Sequence, residues 1–467
     1  MPRQNLAWLL GIIAVTLLGF TVSHSAPLRD KDKDYELVRL VVDVLDEVDH
    51  KYVRGLDQEA KRKLVEDMIN GGLERLDQHS TFINSKEYRQ FNRQSKGKFG
   101  GVGIQVNTGL RNLGPLTVIS PMVGTPAYEA GVLAGDIIVK IDGKSTENLR
   151  ISEAVELIQG EPGSSITLTV IHEGSREPVD LTMQRAEIQI ESVMGDLRKA
   201  DNPREWDYVC DKEGKIAYIR LAAFTETTAA DLRKVIEQLE RDGIRGLVLD
   251  LRNNPGGLLR AAVEVADLFL TEGRIVSTKG RNQQEDVYDA KPEGTLLLPA
   301  AKHPMAVLIN RSSASASEIV AAALQDHGRA VVIGERSFGK GSVQNVIEME
   351  GHTSALKLTT ASYWRPSGKN IHRFPDAKET DEWGVEPDEG FEVEMDDQER
   401  VGYALYRRDR DVVQGKDGGK PRVVKPKKAK PDEKPFVDRV LEEALEHLRG
   451  EIKKVGQAQV VPQAVAT

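Results

Sequence analysis

"LINRSSASASEIVAAALQDHGRAVVIGERSFGKGSVQNV", residues 308–346, holds a complete strand–helix–strand unit and a question about its chemistry. An apolar strand runs through a cluster of Ser and Ala into an alanine-rich helix closed by Gly328, and a second apolar strand ends at Gly334. Gly334-x-x-x-x-Gly339-Lys340 then has the spacing of a phosphate-binding loop. Such a loop needs Ser or Thr directly after its Lys and a helix starting there. Position 341 is Gly, and Ser342 to Ile347 alternates like a strand, which argues against nucleotide binding and leaves the glycine-flanked lysine in need of another purpose.

Working outward, the same alternation of strand and helix begins at Lys215. "KIAYIRLAAF" reads as a strand, "TAADLRKVIEQLERDG" as an amphipathic helix closed by Gly243, and "GLVLDL" as a buried strand. Asn253-Asn254-Pro255-Gly256-Gly257 is a turn, "LLRAAVEVADLFL" a helix and "MAVLIN" a strand. Repeated units of this kind imply an α/β core. Between Lys98 and Arg185 the pattern is instead short strands and glycine turns, with two short helices near Pro126 to Ala130 and Ser152 to Gln159. From Tyr35 to about Ser95 apolar residues fall at helical spacing, a small helical module suited to scaffolding or dimer contact. Residues 415–434 carry eight Lys or Arg against three Asp or Glu among Pro and Gly, the composition of a solvated linker that could also meet anionic lipid. Phe436 to Lys454 reads as one amphipathic helix.

The 467 residues exceed what one core organises, and 39% hydrophobic with 29% charged residues describes a globular chain of two or three domains. A net charge of −9 argues against nucleic acid as a partner. One cysteine, Cys210, excludes an internal disulfide framework and a multi-Cys zinc site, and the nine histidines form no HExxH pair, so neither metal nor cofactor is expected. Arg3, the apolar run from Leu6 to Val22 and the small residues ending at Ala26 form an export signal. Its length leaves two outcomes open, cleavage after Ala26 or retention as a membrane anchor. Both put the body outside the cytoplasm, in the periplasm or cell envelope.

Ser315 stands at the start of the alanine-rich helix, where dipole and free N–H groups stabilise negative charge. Ser315-x-x-Glu318 is also a capping box, and on spacing alone that is the simpler reading. A serine needs a base to become nucleophilic. Lys340 can supply one when burial without a counter-ion lowers its pKa, and no acid lies between Ser337 and Ile347 to keep it charged. Gln344 is a neutral group able to orient an amine. Gly256 and Gly257 open a helix straight after a buried strand and offer N–H groups for an oxyanion.

Two resemblances join these residues. "ISPMVGTPAYEAGVLAGDIIVKIDG", residues 119–143, resembles the middle of a bacterial PDZ domain, and Gly101-Val102-Gly103-Ile104 fits the loop with which PDZ domains hold a peptide carboxylate. "DLRNNPGG", "SASASEI", "SFGKGSVQ", "YWRPSGKNI" and "GVEPD" recur in this order in the carboxyl-terminal processing peptidases, or tail-specific proteases, and the similarity runs from about Tyr35 to Asp388. That resemblance implies a ClpP/crotonase-like α/β peptidase core with an inserted PDZ domain that reads protein substrates by their apolar free C-termini. It puts the nucleophile on Ser315, the general base on Lys340, its supporting glutamine on Gln344, and the oxyanion donors on Ala316 and the Gly256-Gly257 turn. Ser312, Ser313 and Ser317 become structural. The implied domains are a leader or anchor over 1–26, helices over 35–97, PDZ over 98–186, peptidase core over 187–397, basic linker over 398–434 and a C-terminal helix over 435–455. The terminal helices and the family together imply a homodimer, and an adaptor or activator protein stays open. Two positions depart from the family: Gln159 before Gly160, where many relatives carry a basic residue thought to couple PDZ to the active site, and "LDQHS" (Leu76 to Ser80) in place of LDPHS, with no evident bearing on chemistry. Two other readings remain: a triad of Ser315 with His327 and Asp250, and a non-catalytic PDZ adaptor on a degenerate peptidase fold.

Overall fold

The computed structural model describes residues 31–108, 114–199, 201–281, 285–291, 297–413, 415–417, 420–421 and 436–460. The leader over 1–26 and residues 422–434 of the basic segment lie outside the described residues. The chain forms two compact units, Met1–Leu73 and Glu74–Thr467.

At the centre of the larger unit four parallel strands, Ile216–Leu221, Gly246–Asp250, Met305–Ile309 and Val331–Gly334, pair in that order. Gly246–Asp250 and Met305–Ile309 are buried at every position, as strands covered on both faces must be. Alternate side chains point to opposite layers. Ala217, Ile219, Leu249 and Val307 pack with the helices Thr228–Arg241, Leu259–Asp267 and Ala316–Asp326. Ile216, Tyr218, Val248, Ala306 and Leu308 pack with Val440, Leu441, Ala444 and Leu448 of the C-terminal helix Arg439–Val460. The result is a three-layer sandwich. A buried ion pair ties its second layer down: the Arg252 guanidinium donates to Asp250 Oδ2 at 2.6 Å and to Asp438 Oδ1 at 2.8 Å, with all three side chains at most 5% exposed.

An antiparallel sheet flanks this core, in which Ser354–Trp364 pairs with Thr81–Ile83, with Arg274–Gly280 and with Ser342–Met349. Residues 104–107, 117–121, 137–141, 165–171 and 178–184 make a separate antiparallel sheet. It is entered and left through one ribbon, Lys98–Gly101 against Ala186–Gln189.

Two expectations change. Residues 398–411 are not linker: Asp397–Asp411 is a helix whose Asp396 side chain caps it by accepting from the Glu399 N–H. Tyr403 and Arg407, four residues apart on one face, are buried, and Tyr403 joins the second-layer core. The dense charges of this stretch hid that narrow buried stripe. The helical module of 35–97 also divides after Leu73. Phe82, Ile83 and Tyr88 beyond it are buried in the larger unit, where Thr81–Ile83 adds a strand to the flanking sheet. In the smaller unit, the helix Lys31–Lys51 exposes Leu37, Leu40, Val41 and Val44.

Candidate active site

Ser315 stands between the strand Met305–Ile309 and the helix Ala316–Asp326, with φ +56° and ψ −113°. A serine in this region is strained by a kcal/mol or more, and it persists only where the surroundings over-determine it. The surroundings here are laced together. Ser313 Oγ donates to Leu251 O at 2.8 Å, and Ser317 Oγ and the Ala314 N–H both donate to Asn254 O at 3.0 Å. These two serines are therefore structural. The Ser315 N–H donates to Glu318 Oε2 at 2.7 Å, within the capping box that Ser315 and Glu318 form at the start of the helix. The Tyr363 phenol neighbours Ser315; burial pushes it up to about 12, against a lowering influence from the Ser315 side chain.

The glycine turn lies directly against this serine. A Cβ on Gly256, at φ +101°, would stand 2.7 Å from Ala314 O and 2.9 Å from Ser315 Cβ, so only glycine fits. Of the three expected oxyanion donors, Gly256 is removed, because its N–H already donates to Asn254 Oδ1 at 2.9 Å. The N–H groups of Gly257 and Ala316 have no acceptor among the described residues.

The lysine loop reaches the same place from the far side of the strand Val331–Gly334. The Phe338 N–H donates to Ser313 O at 3.0 Å. Glu318, fully buried, takes Ser337 Oγ and the Gly339 N–H on Oε1, each at 2.6 Å, and the Lys340 N–H on Oε2 at 2.9 Å. One carboxylate oxygen thus receives the backbone N–H of both Ser315 and Lys340. Sequence reasoning saw Glu318 only as half of a cap; nothing local signals its contacts 19 to 22 residues on. Lys340 is half-buried and makes no ion pair among the described residues. Burial, and secondarily the Lys357 ammonium, lower its pKa, against an upward pull from Glu318. The desolvation is as expected, but an acid does lie near, brought in by the fold rather than the local sequence. Gln344 Nε2 donates to Ser342 Oγ at 2.9 Å and to Thr359 Oγ1 at 3.3 Å.

That threonine changes the standing of "LDQHS". Asp77 accepts from Thr359 Oγ1 at 3.1 Å, and also from Ser80 Oγ and the N–H groups of His79 and Ser80. The motif therefore fixes the neighbour of Gln344. It also walls, with Lys340, His372 and Trp383, a cleft of about 1490 Å³. His79, desolvated and near Lys340, has its pKa lowered.

In the β-rich segment, Gly101 is still strand, paired with Ala186, and Val102 is wholly buried. The Val102 and Gly103 carbonyls accept from the N–H groups of Ala127 at 2.9 Å and Met122 at 2.8 Å. Gly103 has φ +76°, and Ile104 begins an edge strand, Ile104–Asn107, whose one partner in its sheet is Thr117–Pro121. An edge strand after a glycine turn can accept an added peptide strand.

Comparison with known proteins agrees on both parts. Peptidase family S41 matches over residues 215–390 and the PDZ domain over residues 117–171. A carboxy-terminal-processing protease of Bartonella bacilliformis is 38% identical, covering 97% of this chain and 97% of its own. The chain belongs to peptidase family S41. A carboxy-terminal processing protease CtpA of Bacillus subtilis is 34% identical over 67% of this chain and 62% of its own. A solved photosystem II D1 C-terminal processing protease aligns over 81% of this chain and 92% of its own, at 28% identity and TM-score 0.42. By the family matches and the 38%-identical relative, this S41 chain is a carboxy-terminal processing serine protease with a PDZ domain, on an α/β core as expected.

Within the S41 core the triad is not assembled. His327 caps the far end of the helix that Ser315 begins, about 18 Å away at 1.5 Å per residue, and its Nε2 meets Arg274 O at 2.7 Å. Asp250 is committed to Arg252 and Tyr218. At the PDZ departure, Gln159 Oε1 accepts from Gln90 Nε2 at 3.3 Å and Glu161 pairs with Arg93, so the helix Ser85–Ser95 meets this corner of the PDZ domain. A second basic residue near this corner, Arg185, donates to Ile158 O and Leu157 O at the end of the helix Ile151–Ile158.

Proposed function

We propose that this protease cleaves with a Ser-Lys dyad and selects substrates by their free C-termini. The PDZ edge strand Ile104–Asn107 takes up the apolar tail of a protein, with the N–H groups around Gly103 facing its carboxylate. Ser315 Oγ then attacks a peptide carbonyl while neutral Lys340 Nζ takes the hydroxyl proton. The oxyanion is held by the N–H groups of Gly257 and Ala316. Lys340 returns the proton to the leaving amine, leaving an acyl-enzyme ester. A water deprotonated by the same amine hydrolyses the ester and restores Ser315. Gln344, its amide nitrogen engaged by Ser342 and Thr359, turns its oxygen to the lysine amine. The apolar leader supports action in the cell envelope, released or tethered, and the exposed apolar face of the helix Lys31–Lys51 supports a dimer.

The proposal rests on one observation: the strained Ser315 and the desolvated Lys340 hang from the same carboxylate oxygen of Glu318. Its test is cleavage of an unfolded protein with an apolar tail by the full chain, beside Ser315→Ala, Lys340→Ala and the same substrate amidated at its C-terminus. Cleavage lost in both variants and weakened by amidation is the expected result. Turnover by Lys340→Ala overturns the dyad, and indifference to amidation overturns C-terminal selection.

A further inference from the structure

Glu318 carries more donors than a helix cap needs. Four reach it: Ser337 Oγ and the Gly339 N–H on Oε1, the Ser315 and Lys340 N–H groups on Oε2, all between 2.6 and 2.9 Å. Each oxygen takes two, and three of the four donors are backbone N–H groups that cannot turn into acceptors. Only a carboxylate, an acceptor at every lone pair, satisfies them together. Such charge-assisted bonds are short and strong. The donors come from three places: the serine turn, the tip of the lysine loop, and the segment leading into that loop. Ser337 Oγ in turn accepts from the Val385 N–H at 2.7 Å, so the far wall of the loop is tied to the same point.

We propose that Glu318 is a positioning residue for catalysis, a buried carboxylate that holds the serine turn and the lysine loop in a single register through its two oxygens. The inference rests on the Ser-Lys reading, since its purpose is to fix those two segments against each other. Burial pushes this carboxyl up to about 7 against the pull of the four donors. Ionised, it also opposes the lowering of the lysine pKa, whose other neighbours are the Lys357 ammonium and the His79 imidazole.

The discriminating variant is Glu318→Gln in the full chain. An amide keeps the volume and one accepting oxygen, but its NH2 must face one pair of donors, either Ser315 with Lys340 or Ser337 with Gly339. Either orientation breaks the clamp on one side. The expected result is a loss of kcat of about 100-fold, the scale of an ångström of misplacement, with KM changed less than about twofold. At the same time the rising limb of kcat/KM should move to lower pH, because the lysine loses the anion that favours its charged form. Ser337→Ala, which removes one of the four donors to Glu318 together with the acceptor of the Val385 N–H, should lose about tenfold in kcat, and it tests the clamp if Glu318→Gln does not fold. Unchanged kcat in either variant, or a loss in Glu318→Gln without the pH displacement, reduces Glu318 to a structural cap and overturns the proposal. Ser315→Ala and Lys340→Ala run alongside. If those retain turnover, the dyad itself fails; if they are dead and Glu318→Gln is fully active, only the positioning role fails.

Discussion

Replacing Gly256 by alanine separates placement of the serine from supply of a hydrogen bond. The Gly256 N–H is already given to Asn254 Oδ1, so the substitution costs the oxyanion no donor. It adds a methyl group 2.7 Å from Ala314 O, 2.9 Å from Ser315 Cβ and 3.0 Å from Ala316 N. Ordinary contact begins near 3.4 Å, so the serine turn must retreat by roughly 0.7 Å. Productive geometry tolerates about 0.5 Å, and an ångström costs about 100-fold. The expected loss is about 30- to 100-fold in kcat with KM little changed. A φ of +101° adds strain of about 1–3 kcal/mol for a residue with a Cβ. The assay pairs initial rates on an unfolded protein substrate with urea denaturation of the same preparation. A variant that loses the expected stability yet keeps kcat within twofold would refute the reasoning, because the serine turn would then move without consequence for the reacting atoms.

Lys340→Arg should be inactive at every pH, since a guanidinium does not deprotonate; measurable turnover sinks the neutral-lysine mechanism. In the wild type, kcat/KM should rise with pH along a limb centred below 10.5, because desolvation makes the neutral amine available earlier than in a free lysine. A limb at or above 10.5 contradicts that. His327→Ala should leave kcat within about twofold, as expected of a side chain remote from the reacting atoms, and a large loss would revive the triad. Arg252→Ala leaves Asp250 and Asp438 buried without their partner and should destabilise the fold by about 3–5 kcal/mol in urea denaturation; a loss under 1 kcal/mol would show that the carboxyls simply protonate.

The strand–helix units of the core were legible because each is a local pattern. "GLVLDL" contains the buried strand Gly246–Asp250, and the capped alanine run contains the helix Ala316–Asp326. The helix Asp397–Asp411 was not, because its buried face is Tyr403 and Arg407 amid charge, and a buried arginine looks like surface until its partners Asp196 and Asp411 are seen. The hairpin strand Arg274–Gly280 was missed for a related reason: its register is set by Ser354–Trp364, more than 70 residues later. At the site, Ser315 and Lys340 each carry a local signature of helix start or flanking glycine, while Gln344 is picked out by the family resemblance. Glu318 and the Asp77–Thr359 bond do not, since their function lies in contacts between distant segments. The Gly256 donor was misread for the opposite reason. Its competitor, the Asn254 side chain, sits two residues away, and that bond forms only in the folded turn.

The ribbon Lys98–Gly101 with Ala186–Gln189 brings the chain into the PDZ domain and out again side by side, with the Ile190 N–H donating to Gly97 O at 2.7 Å just outside it. A module hung on two adjacent stalks can be lengthened, replaced or deleted without re-routing the surrounding polypeptide. Evolution can therefore exchange the PDZ domain while the peptidase core stays as it is. An engineer has the same freedom, with the splice junctions at residues 97 and 190.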